Sequence, residues 1–356
     1  MGLEKFIAEQ LSPMGTPALL AVIGISLAML AKLADLVVDQ AIFLSQRSGI
    51  PKVIVGATIV SLGTTAPEVA VSVLAAFRGE PGLAMGNAVG SIICDTGLIL
   101  GIACLIRPLT IPMEIANRQG WIQLASGLLL VLFSIPWATP LAPWTEQAEG
   151  VFPQWAGFIF LGLLAVYLYL SVKWSRTTAG GTTDATDTGP MAGAPSSSRD
   201  PSIPLTVCKL ILAIAGVVMS ASILIPAVTL VAERWGIPQS VIALTIVAFG
   251  TSLPELVTSV QAARRGHGDL AVGNIIGADV LNALFVAGAA AAVSADGLAV
   301  GKPFFWLSFP TMIAVLLIFR VGIFTCRDQL TRGFGIVLLG CYLVYLGLTV
   351  TTGFSH

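Results

Sequence analysis

Charge is what this chain has least of. Asp, Glu, Lys and Arg make up 10% of its 356 residues, against roughly 25% in a soluble domain. Together with 56% hydrophobic residues and a mean hydropathy of +0.91, that scarcity excludes an ordinary water-soluble fold. Histidine occurs only at 267 and 356, too little for a histidine-built metal centre or proton relay. The five cysteines (94, 104, 208, 326 and 341) stand singly, mostly in apolar segments, which argues against a disulfide framework and against zinc. A net charge of −1 without any basic run gives no footing for nucleic acid. No nucleotide-binding loop, nucleophile–base pair or hydrolase spacing is visible, so a primary pump and an enzyme are both disfavoured. The N-terminal stretch lacks the basic-then-apolar build of a cleaved signal, and Phe6 stands where a myristoylation signal has Ser or Thr. The membrane spans are therefore expected to be the chain's own anchor.

What the chain has is long apolar runs. A hydrocarbon core of about 30 Å takes roughly 20 apolar residues per helix. Ten such spans are read at about 15–45, 51–77, 81–106, 120–138, 153–174, 205–232, 238–263, 268–293, 303–321 and 332–353. Between the fifth and sixth lies 175–204, rich in Thr, Gly, Ser, Ala and Asp, which reads as a flexible linker. Its few acids form no calcium-binding loop. The expected organisation is an all-α integral membrane fold of ten transmembrane helices, with halves at 1–174 and 205–356. Five is odd, so the second half must sit upside down relative to the first, as inverted five-helix repeats.

Lys and Arg set the orientation. One side collects thirteen, from Arg47 and Lys52 to Arg327 and Arg332, while the other has Lys5, Arg78, Arg234 and Lys302. That places the 175–204 linker in the cytoplasm and both termini outside. The compact chain suggests a prokaryotic plasma membrane.

The most informative feature is a duplicated motif. Gly63-Thr64-Thr65-Ala66-Pro67-Glu68 recurs as Gly250-Thr251-Ser252-Leu253-Pro254-Glu255. Each copy is followed by a second element, Gly86-Asn87-Ala88-Val89-Gly90 and Gly273-Asn274-Ile275-Ile276-Gly277. Both pairs are separated by the same 187 positions.

A carboxylate at the centre of a spanning helix costs about 2.5–3.5 kcal/mol even on the lenient insertion scale. Glu68 and Glu255 are mid-span, with no Lys or Arg in the corresponding parts of neighbouring segments. A bound cation is the obvious partner, and a proton the other. Pro67 and Pro254 each remove an amide donor, which is expected to free carbonyls of residues such as Ser61, Gly63, Ala248 and Gly250. With the Thr64 and Thr251 hydroxyls and two carboxylates, these make an all-oxygen shell suited to hard cations such as Ca²⁺ and Na⁺. After Asn87, Ser91 and Asp95 follow at helical spacing, whereas the second half has Asn274, Ala278 and Asn282. Asn87 and Asn274 read equally as bonds to broken-helix backbone and as site lining. Asp279 faces either the pathway or a protein partner. Lys32 and Asp35 are expected to form a local ion pair, and Arg264 and Arg265 to be topology anchors.

These motifs, with GNAVGSIICD and GNIIGADVLN, resemble the paired alpha-repeats of the calcium/cation antiporter superfamily, in its sodium/calcium exchanger branch. The resemblance covers nearly the whole chain. It implies a secondary antiporter exchanging Na⁺ for Ca²⁺ by alternating access, with the first and sixth spans sliding across a core of spans 2, 3, 7 and 8. No cofactor is implied, and a monomer would suffice. Glu68 and Glu255 would be the central carboxylates for both ions. Thr64 and Thr251 would add oxygens, Thr65, Ser252 and Ser91 would line Na⁺ sites, and Asp95 and Asn282 would complete the centre.

Two departures stand out. Gly277-Ala278-Asp279 replaces a typical Gly-Ser-Asn, and the acid at the sixth position belongs to the first repeat instead of the second. Both keep a K⁺-dependent or H⁺-coupled exchanger open as an alternative. Gly90 and Gly277, standing where the proton-coupled branch usually has an acid, favour sodium. A passive channel or ion-sensing membrane protein is the alternative of another class.

Overall fold

The computed structural model describes residues 3–136, 150–179, 203–236, 250–325 and 329–352. Apart from two minute sheets, these residues form helices. A short α1 (Leu3–Leu11) precedes α2 (Thr16–Ser48), which runs 33 residues from Pro17 in its first turn. Then come α3 (Lys52–Thr64) and α4 (Ala66–Phe77), which form one apolar span bent by 45°. The bend falls where Pro67 enters the first turn of α4. Next are α5 (Pro81–Ile106), α6 (Met113–Ser134) and α7 (Gln154–Ala179). Beyond the linker follow α8 (Ile203–Arg234), α9 (Leu253–Arg264), α10 (Gly268–Val293), α11 (Phe304–Thr325) and α12 (Arg332–Thr352).

Among the described residues, seven helices are long and apolar enough to cross a membrane, or eight if the bent α3–α4 pair is one span. The ten read from the sequence are thus not all met. The span expected at 120–138 begins earlier, at Met113, and its first half carries Glu114, Asn117, Arg118, Gln119 and Gln123. Of the span expected at 238–263, the described part is a twelve-residue helix, α9; residues 237–249, including Ala248, lie outside the described residues. Residues 175–179 of the expected linker continue helix α7.

The duplicated motif extends to the elements themselves. Shifting by the motif's 187 positions carries α4 onto α9 and α5 onto α10, end for end. The connecting turn repeats too, with Gly79 and Gly266 at φ 75° and 82°, where a side chain would be strained. Both α5 and α10 contain a π-helical stretch, Cys94–Ile99 and Asn282–Val286, in the turn that follows the Gly-Asn element.

Two close approaches set the interior. Helix α3 crosses α10 backbone to backbone: a Cβ on Gly56 would stand 2.7 Å from the Leu270 carbonyl oxygen, and one on Gly277 2.5 Å from the Ala57 carbonyl oxygen. Small residues at such a crossing let two spanning helices touch where side chains would hold them apart. Helices α2 and α8 pack along one another, and α8 lies over both motif breaks. A Cβ on Gly63 would meet Ile214 at 2.5 Å, and one on Gly250 would meet Ile225 at 2.6 Å.

Two short antiparallel sheets, β1 (Leu109–Thr110) with β4 (Gln329–Leu330) and β2 (Gly150–Phe152) with β3 (Leu298–Val300), tie the halves together. Each draws one strand from either side of the linker. The outer surface is apolar, with Leu27, Phe158, Leu212 and Val344 exposed, which suits a lipid solvent.

Candidate cation site

Glu68 and Glu255 occupy matching places in the first turns of α4 and α9, each directly after the proline that opens its helix. Both side chains are 1% exposed. A first-turn carboxylate meets the positive end of the helix dipole, which offsets part of its desolvation. Their hydrogen bonding differs. Thr65 donates to Glu255 Oε1 at 3.0 Å, leaving Oε2 without a partner. Neither oxygen of Glu68 has a donor. Thr251 lies beside it, with its hydroxyl turned to Asn87 Oδ1 at 3.3 Å.

Asp95, fully buried at the start of the π-helical stretch of α5, is within electrostatic range of both glutamates. Its Oδ2 accepts the Asn282 amide at 3.1 Å, and its Oδ1 has no partner. Asp279, also buried, accepts from Thr96 of α5 and, at 2.5 Å, from Gln123 of α6, again with Oδ1 unpartnered. Four buried carboxylates thus share one region. Both side-chain oxygens of Glu68 and one oxygen each of Glu255, Asp95 and Asp279 are left without a partner.

The side-chain amides of the paired asparagines both donate within their own half. Asn87 Nδ2 donates to the Glu68 carbonyl at 3.1 Å and to Ser72 Oγ at 2.9 Å. Asn274 Nδ2 donates to Thr258 and Ser259 at 3.1 and 3.0 Å. Each ties the second element of its half to the helix carrying that half's glutamate. Asn274 Oδ1 remains unpartnered.

Thr64, Thr65, Ser91 and Ser252 are buried in the same region, and Thr251 is 9% exposed. The Ser61 carbonyl is a correction. It accepts the Thr65 amide at 2.9 Å and the Thr64 hydroxyl at 3.3 Å, so it is not freed. The carbonyl facing the missing Pro67 donor is that of Gly63, four residues back. The expected Lys32–Asp35 pair is a second correction. Asp35 is engaged by Gln261 and Arg265 of α9, and Asp39 by Arg265, which is therefore more than a topology anchor. Sequence reasoning missed Thr96 and Gln123. Gln119 and Gln123, one turn apart in a span, were the available signal, since an amide in lipid needs a partner.

A buried carboxylate oxygen with no donor calls for a positive ligand. The donor set on offer is oxygen throughout: carboxylates, hydroxyls, amide oxygens and the backbone at two helix breaks. That chemistry suits a hard cation, not a soft one. Among the described residues no three acidic, histidine or cysteine side chains meet at one point, so neutral oxygens must complete any shell.

A family model described as "Sodium/calcium exchanger protein" matches residues 18–173 and 205–351, which takes in both copies of the motif. The chain belongs to the sodium/calcium exchanger family. It is 31% identical to the inner membrane protein YrbG of Escherichia coli over 331 residues, covering 92% of this chain and 95% of that protein. It is 29% identical to the sodium/calcium exchanger MaX1 of Methanosarcina acetivorans over 337 residues, covering 90% and 95%. A solved structure of the sodium-calcium exchanger NCX_Mj, soaked with Na⁺ and Sr²⁺, superposes with a TM-score of 0.74 at 25% identity, covering 94% of this chain and 99% of that one. This exchanger is thus a membrane transporter for cations, of a family that is not one of enzymes.

Proposed function

We propose that the chain is a secondary antiporter that exchanges Na⁺ for Ca²⁺ by alternating access, with both ions as substrates and no cofactor. The observation that carries this reading is Glu68, a fully buried carboxylate with two unpartnered oxygens, beside the half-satisfied Glu255 and Asp95. Glu68, Glu255 and Asp95 would hold the cation charge. Thr64, Thr65, Thr251, Ser252, Ser91, Asn282 and the backbone at the two breaks would supply neutral oxygens. One Ca²⁺ or several Na⁺ would satisfy the same set in turn, which is the basis of exchange.

The topology proposed is ten helices in two inverted halves, with the 175–204 linker in the cytoplasm, both termini outside, and a prokaryotic plasma membrane as the setting. The matched ends of α4–α5 and α9–α10 support the repeat, and an odd number of spans per half inverts it. The α2–α8 pair would slide over the Gly63 and Gly250 breaks to open either side. A monomer suffices, because one chain contributes both motif copies.

Asp279 supports a second reading within transport, exchange assisted by K⁺ or coupled to H⁺. Counter-ion dependence separates all of these from a passive channel. The test is ⁴⁵Ca²⁺ uptake into proteoliposomes loaded with Na⁺ and diluted into choline, with K⁺ and pH varied. Uptake that requires internal Na⁺ supports the proposal; uptake indifferent to every counter-ion overturns it in favour of a leak. Glu68→Gln and Glu255→Gln should each abolish uptake while the protein still folds.

A further inference from the structure

Helix α1 lies ahead of the stretch matched to the family, which begins at residue 18, and it carries none of the candidate site residues. It folds back onto the start of α2 and the end of α8. Leu11 of α1, Leu19 of α2, and Ala227 and Val231 of α8 are the buried members of a small apolar cluster, to which no motif-bearing helix contributes. A charged bond closes it. Arg234, the last residue of α8, donates to the Ser12 carbonyl at 2.9 Å and to the Thr16 hydroxyl at 3.4 Å, so one guanidinium spans the corner between α1 and α2. The shift of 187 positions carries the start of α2, Thr16, onto the start of α8, Ile203, and pairs Arg234 with Arg47. Arg47 lies over the ring of Phe43 in its own helix, 5.9 Å from the centroid. Arg234 joins helices where its counterpart stacks within one.

Pro226 shows what that junction does. It stands inside α8, where it takes the helical donor from the Ser222 carbonyl and makes the helix a poorer rod. Ile225, which covers the Gly250 break, comes just before it. Residues 227–234 come after it, and they are the part of α8 that meets α1. Left to itself, this end would bend at the proline independently of the rest. Seated under α1, it is fastened to α2.

We propose that Arg234 and α1 are positioning elements for transport, binding the end of α8 beyond Pro226 to the start of α2 so that the two helices shift as one piece. This rests on the reading of α2 and α8 as the sliding pair. Shear between packed helices carries a displacement only as far as the moving part stays rigid. The junction supplies that rigidity where the proline removes it.

The experiment measures initial rates of Na⁺-dependent ⁴⁵Ca²⁺ uptake into proteoliposomes, normalised to the Ca²⁺ bound by the same preparation. Arg234→Gln should lower the maximal rate about two- to fivefold, the range of an exposed polar tie. Half-saturating Ca²⁺ and Na⁺ should not move, because the junction touches no candidate ion ligand. The pair Ser12→Cys and Arg234→Cys should be slowed alike, and bridging its thiols with a bis-maleimide should restore the wild-type rate. Wild type given the same reagent controls for the exposed Cys208. A maximal rate in Arg234→Gln equal to wild type, a parallel change in the half-saturating concentrations, or a bridged pair slower than the unbridged one each overturns the proposal. If Arg234→Gln does not fold, the cysteine pair decides. A second bridge, in Asp39→Cys with Arg265→Cys, joins α2 to α9 and should stop uptake. Uptake that survives this bridge rejects the slide itself. Uptake lost there, with no gain from the Ser12–Arg234 bridge, rejects only the junction.

Discussion

Asn282 donates its side-chain amide to Asp95 across 3.1 Å, and the two residues are one and the same position in the two copies of the motif. They meet where the halves face each other, so which copy carries the acid should matter less than that one of them does. Asp95→Asn leaves two amides and one charge fewer for the cation, and ⁴⁵Ca²⁺ uptake should fall at least tenfold, about 1.4 kcal/mol of lost binding. Adding Asn282→Asp to that variant returns the charge and should restore uptake to within a few-fold of wild type. A double variant no better than the single one would mean that the surroundings of the two positions are not interchangeable.

The unequal partners of the two glutamates give a second prediction. Thr65 holds one oxygen of Glu255, while neither side-chain oxygen of Glu68 has a partner. Thr65→Val removes a bond to a charged group, worth about 1.5–3 kcal/mol in general. It should weaken the apparent Na⁺ affinity by roughly tenfold or more, with little change in the maximal rate at saturating Na⁺. Initial rates against internal Na⁺ would separate affinity from turnover.

The motif glycines are expected to differ in tolerance. At Gly63 an added methyl would lie 2.5 Å from Ile214 Cγ2, a branch fixed next to its own backbone. At Gly250 the first obstacle is Ile225 Cδ1, 2.6 Å away, the free end of its chain. Gly63→Ala should therefore slow exchange more than Gly250→Ala, and Ile214→Ala should rescue Gly63→Ala in the same uptake assay. Failure of the rescue would show that the glycine is needed for its backbone and not for clearance.

At the end of α9, Arg265 engages Asp39 and the Asp35 carbonyl of α2, and Gln261 engages the Asp35 carboxylate. The matching positions of the other half, Leu74 for Gln261 with Ser222 and Pro226 for the two acids, cannot build this clasp. Exposed ion pairs of this kind contribute about 0–1 kcal/mol, too little to hold the fold but enough to bias the slide proposed for α2 and α8. Arg265→Gln should leave Tm almost unchanged. It should shift the ratio of Ca²⁺ affinities measured from the two faces by up to about fivefold.

The sequence was most legible where the physics is local and costly. Two mid-span glutamates beside prolines at one offset marked a candidate site, because lipid does not tolerate them idly, and the structure buries both in the first turns of their helices; the helix breaks followed from the same prolines. Element ends repeated because the motif did. Less legible was anything decided by rotation about a helix axis. Nothing in Asp279 alone says that it faces Thr96 and Gln123, nor in Asp35 that it faces α9 and not Lys32. The polar first half of α6 obscured its start, because Gln119 and Gln123 look like the end of a span until their buried partners are known. The Ser61 carbonyl misled for a related reason: a proline orphans only the acceptor four residues back, and the neighbours re-form their bonds.

The two small sheets change what a break in the chain would do. Each pairs a strand from before the linker with one from after it, and α3 lies against α10 with no side chain between their backbones. A protease cut within 180–202 would therefore nick the polypeptide without dividing the particle. The fragments would part only under denaturant, and covalent continuity there would matter for assembly more than for the assembled protein.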